Sequence, residues 1–172
     1  MWTPPQTLPL YETQYEKFVY QPFSCLPVTD PLQLDFTDLK VFESVQDQYQ
    51  RWGIRFEGAI ALRPSNPAFQ IEPETIVLVP EVGCSNIAVQ FEQLRKWVGA
   101  VVTATQRVKL TLLNRENEPI AEQWAGTVQY VQGRQTTHEF FPQHSMELIQ
   151  DNIARVEFSS EAPFILHSFF CA

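Results

Sequence analysis

From Leu32 onward the chain is divided into strand-length segments at short intervals, each bounded by turn residues, and nowhere shows βαβ spacing. Period-two alternation marks Leu32-Gln33-Leu34-Asp35-Phe36 and again Ile54-Arg55-Phe56-Glu57-Gly58-Ala59, the pattern of a strand buried on one face. Further strands are predicted over 75–79, 86–91, 97–104, 107–113, 120–124, 127–130, 136–141, 153–159 and 164–170. Asn114-Arg115-Glu116-Asn117-Glu118-Pro119 suits a hairpin loop, and Gly133 a turn. Many short strands with turns between them predict a sandwich or barrel. Phe outnumbers Met by 13 to 2, which favours strand over helix.

Two helical pieces are expected. Val45, Tyr49 and Trp52 stand at i, i+4 and i+7 and Gly53 ends the run, while 145–150 could form a single turn. Residues 1–31 carry Pro4, Pro5, Pro9, Pro22, Pro27 and Pro31, six of the 13 prolines, which rules out a regular helix or central strand along that stretch as a whole. The same stretch holds Trp2, Tyr11, Tyr15, Phe18, Tyr20 and Phe23, too aromatic for a solvated tail. It is read as an arm, 1–31, lying on a single β-sandwich domain, 32–172, or on a neighbouring subunit in a homo-oligomer. A short strand or one helical turn is expected between Tyr11 and Tyr20.

The formal net charge of −8 argues against a binder that tracks nucleic-acid phosphates, which needs a basic face. No apolar run approaches the roughly 18 residues of a membrane helix, and no export signal is recognised, so a cytoplasmic location is expected unless a leader has been removed. Cys25, Cys84 and Cys171 lie far apart without a CxxC pair and are read as free thiols. His138-Glu139 lacks the second histidine of a zinc-protease helix, and no Gly-x-Ser-x-Gly elbow, Walker loop or dinucleotide fingerprint occurs. No catalysis is expected.

The order of segments carries a resemblance. Asp35-Phe36-Thr37-Asp38-Leu39 leads to Gln48-Tyr49 and Trp52-Gly53-Ile54-Arg55-Phe56. Much later come Ile153-Ala154-Arg155-Val156-Glu157-Phe158-Ser159-Ser160 and then Phe164-Ile165-Leu166-His167-Ser168-Phe169. This resembles the jelly-roll β-sandwich modules of bacterial exported and surface proteins of the PEP-CTERM type, which are similar to carbohydrate-binding lectin-like sandwiches. The resemblance implies an all-β, two-sheet antiparallel jelly-roll-like β-sandwich with one or two short helices. It also implies a calcium site to which Asp35 and Asp38 would belong. Where that family has Asp-Asn in its last strand, this chain has His167-Ser168, and imidazole replaces poorly the hard oxygens calcium requires. No cofactor is therefore expected.

Sugar rings present apolar C–H faces, so an aromatic platform beside amide and charged groups is the expected recognition chemistry. Trp97, Trp124 and Tyr130, with Gln132 and Arg134, are the candidate ligand-binding residues. The expected function is a non-catalytic module for a glycan or surface ligand. The alternative is a structural protein docking on itself or on a protein partner.

Overall fold

The structure, a computed structural model, describes residues 30–66, 69, 71–72, 74–126 and 141–172. Ten strands and a single short 3-10 turn account for its regular structure among these residues. The strands are β1 (Leu32–Leu34), β2 (Ser44–Val45), β3 (Ile54–Glu57), β4 (Ala59–Leu62) and β5 (Val77–Pro80). They continue with β6 (Asn86–Ala104), β7 (Val108–Leu113), β8 (Pro119–Ala125), β9 (Gln143–Ser160) and β10 (Phe164–Cys171). All pairings are antiparallel. The expected all-β antiparallel class is what the chain adopts. No helix among the described residues is long and apolar enough to cross a membrane.

The strands form one hydrogen-bonded sheet in the order β2-β4-β5-β10-β6-β9-β7-β8, with β1 on β10 and β3 on β6. Two strands of unusual length fold this sheet over. β6 runs for 19 residues and β9 for 18, and their shared register breaks between Gln90 and Arg95 and again between Arg95 and Trp97. Asn152, at that bend on β9, takes a positive φ of 66°. Both ends of β6 consequently reach the same end of the molecule. Asn86 pairs with Ser159 and Ala104 with Phe164, residues separated only by the β9–β10 turn.

The two halves enclose the core. Phe169 on β10 belongs to one half and is fully buried. Its ring meets Phe56 on β3 and Phe158 on β9 edge-on and stacks on Phe91 of β6, each at 6.2 Å, and these three belong to the other half. Offset and edge-on aromatic pairs of this kind add stability beyond the area they bury. Alternation holds where one face is wet: Ile54 and Phe56 point inward while Arg55 and Glu57 are exposed. It fails over the second half of β6, where every residue from Trp97 to Ala104 is buried or, for Gly99, carries no side chain. A strand covered on both faces reads as a continuous apolar run.

Several sequence expectations need correcting. The predicted strands 86–91 and 97–104 are one bent strand. Residues 145–150 are part of β9, not a helical turn, because pairing with β6 overrides the helix propensity of Met146, Glu147, Leu148 and Gln150. The helix expected around Val45 to Trp52 reduces to the turn Gln50–Trp52, closed by Gly53 in the left-handed region as its position predicts. The hairpin loop at 114–119 is present: the side-chain oxygen of Asn114 accepts the N–H groups of Glu116 and Glu118. The strands expected over 127–130 and most of 136–141, the turn at Gly133, and nearly all of the 1–31 arm, including Tyr11 to Tyr20, lie outside the described residues.

Candidate functional site

The end of the sandwich at which β6 begins and finishes gathers the β5–β6 turn, the β6–β7 turn, the β9–β10 turn and the last residues of β8. A groove of about 410 Å³ opens there, lined by Ser85, Gln106, Arg107, Trp124, Ser159, Ser160 and Glu161. Strand register builds one wall. Asn86, Ser159, Lys109 and Trp124 form a single row across β6, β9, β7 and β8, and directly opposed residues share a face. Trp124 therefore stands on the outer face, 57% exposed. Lys109 Nζ lies over its ring, 5.7 Å from the centroid, and 2.6 Å from Glu122 Oε1.

The floor is set by backbone contacts. The Ser160 hydroxyl donates to the Arg107 carbonyl at 2.9 Å and accepts the N–H of Ala162 at 3.3 Å, while the Ser160 N–H reaches the Ser85 carbonyl at 3.3 Å. Ser160 thus ties three turns together. Gly126 (φ 90°) ends β8 against the β6–β7 turn, where a Cβ would sit 3.1 Å from the Gln106 carbonyl oxygen. A side chain there would push β8, and Trp124 with it, off the groove. The Arg107 guanidinium, the Gln106 amide and the Glu161 carboxylate rim the groove in exposed positions. Planar donors, an amide and a carboxylate beside an indole face can bind hydroxyl-bearing rings.

The candidate residues divide. Trp124 lines the groove. Trp97 is 4% exposed, and its indole Nε1–H donates to Glu147 Oε1 at 2.7 Å, so its ring is a packing element of the folded sheet. Tyr130, Gln132 and Arg134 lie outside the described residues. Asp35 Oδ1 accepts the Thr37 N–H at 2.9 Å, and this bond together with the Thr37 side-chain bond holds its carboxyl below the usual range. Asp38 is exposed in the same turn. Among the described residues no group of three or more His, Cys, Asp or Glu is placed to hold a metal ion. His167 lies in the interior ladder of β10, with Nε2 at 2.7 Å from Thr103 Oγ1.

The groove residues from the turns escaped the sequence reading. Gln106, Arg107 and Glu161 belong to no motif, Ser159 and Ser160 end a segment read only as a strand, and the bend in β6 and β9 brings them together. The available signal was positional: these segments are turns or strand ends beside a predicted strand.

No family model matches the chain, and no curated protein matches it. The likeness to PEP-CTERM-type modules thus stays a resemblance. Among solved structures the chain is similar to the K2 cleaved adhesin domain of Lys-gingipain, at 9% identity over 83% of this chain and 97% of that one, with a TM-score of 0.47. It is similar to the K1 cleaved adhesin domain of Lys-gingipain from Porphyromonas gingivalis W83, at 9% identity over 84% and 98%, with a TM-score of 0.46. It is also similar to a family 29 carbohydrate-binding module from Piromyces equi, at 8% identity over 69% and 80%, with a TM-score of 0.37. Likenesses this distant do not transfer a function or a site.

Proposed function

We propose that the protein is a non-catalytic binding module that takes a glycan on Trp124. The observation that carries this reading is the exposed indole of Trp124 on the wall of a groove whose remaining lining is polar: Ser85, Gln106, Arg107, Ser159, Ser160 and Glu161. An indole face exposed to water is costly on a folded surface and favourable under the C–H face of a sugar ring. The planar guanidinium of Arg107 and the Gln106 amide supply directional donors for ring hydroxyls.

The test is binding to a panel of plant, bacterial and animal glycans, followed by titration of the strongest ligand into the native protein and a Trp124→Ala variant. The expected result is binding of one glycan class, weakened about tenfold or more by Trp124→Ala with the fold intact. Absence of binding to every glycan, or unchanged binding by the variant, would overturn the reading.

A further inference from the structure

A second groove, of about 490 Å³, continues from the Trp124 groove over the rim of the sandwich. The two share Ser85, Ser160 and Glu161. Their linings differ. On the second side Leu62, Val79 and Ile165 project from the outer faces of β4, β5 and β10, while their neighbours Ala61, Leu78 and Leu166 enter the core. Phe69 and Pro163 extend the same apolar wall. Val82, at the tip of the β5–β6 turn, is fully exposed at the rim. Val82 and Trp124 are two of the five large hydrophobic residues exposed among the described residues, and they line these two adjoining grooves, one each.

We propose that the ligand is a glycoside carrying an apolar aglycone, alkyl or aryl, with its sugar on Trp124 and its aglycone along Leu62, Val79 and Ile165. This rests on reading the Trp124 groove as the glycan site. A free sugar would cover Trp124 and leave Val82 and the half-buried Leu62 and Val79 in contact with water. An apolar substituent on the same molecule, reaching across Ser160 and Glu161, would remove both from water at once.

Matched pairs test it: methyl and octyl glycosides of glucose, galactose and mannose, titrated calorimetrically into the native chain below the micellar concentration of the octyl compounds. For at least one sugar the octyl glycoside is expected to bind about tenfold or more tightly than its methyl partner, roughly what two buried methylenes supply. Val82→Asp combined with Leu62→Gln should cancel that gain and leave methyl glycoside binding unchanged. Trp124→Ala should weaken both members of the pair. Equal affinity within every pair overturns the aglycone inference and leaves the glycan site standing. Octyl binding that survives Trp124→Ala overturns it as well, since the chain would then bind without the sugar. Failure of all six glycosides to bind overturns the aglycone inference alone, since the Trp124 glycan site is judged by the wider glycan panel.

Discussion

Nε2 of His167 lies 2.7 Å from Oγ1 of Thr103, at the single residue by which β10 outruns β6. Leu166 pairs with Val102 and Ser168 with Val101, so His167 is the extra residue of a bulge. The bulge turns its ring toward Thr103, which is fully buried. Burial pushes the His167 imidazole down from its ordinary 6.5 to about 4. His144, opposite Val102 on β9, is lowered in the same direction by the same cause.

A histidine depressed in the folded state binds its proton more readily when the chain unfolds. Its contribution is fully present above pH 6.5 and is lost as the pH falls toward 4. The loss is on the order of 3 kcal/mol for His167. Denaturant unfolding at several pH values across this window should show a steeper decline for the native chain than for His167→Gln. Identical slopes would sink the assignment.

Phe169 joins the two halves of the folded sheet, and removing its ring opens a cavity that touches both. Phe169→Ala is expected to lower stability by about 3–5 kcal/mol. Phe169→Leu, which keeps most of the volume, should cost clearly less. Urea midpoints read both, and a loss under about 1 kcal/mol for the alanine variant would show that the halves are held elsewhere.

Trp97 and Trp124 separate packing from recognition. Trp97→Phe removes the donor to Glu147 within a buried setting and should cost about 1–3 kcal/mol. Trp124→Ala, at an exposed position, should change stability by no more than about 0.5 kcal/mol. In a glycan titration, quenching or shifting of tryptophan emission should disappear with Trp124 and persist in Trp97→Phe. The reverse pattern would move the site to Trp97.

Cys84 is exposed in the turn beside the groove and Cys171 is buried on β10, where burial pushes its thiol up to about 11. In a Cys25→Ser background, an aromatic disulfide reagent should titrate one thiol in the native protein and two after unfolding. Rapid modification of both in the native state would contradict the burial of Cys171.

Much of the architecture was legible in local pattern. Alternation at Ile54-Arg55-Phe56-Glu57 and the asparagine-rich loop after Leu113 specify a strand and a hairpin through period two and turn chemistry, properties of a few adjacent residues. The exclusion of a helical bundle was equally local, since it would need spacings that are not written in the chain. Trp124 could be nominated from its type and its place beside a strand, but its type could not distinguish it from Trp97.

Everything that depends on the bend was set by contacts between distant segments. Glu92-Gln93-Leu94-Arg95 contains neither glycine nor proline, so nothing local announces that β6 turns back there, and Met146-Glu147-Leu148 has the composition of a helix. Pairing of β6 with β9 over both halves outweighs those preferences, because the paired register buries Met146, Val98, Ala100 and Val102 together. The same bend brings Ser85, Arg107, Trp124 and Ser160 to one rim and turns Trp97 into the sheet. Which residues can be strands and which faces are apolar follow from side chains a few positions apart, and so could be read locally. Which tryptophan meets solvent was left to contacts between residues far apart in the chain, and only the folded sheet sets them.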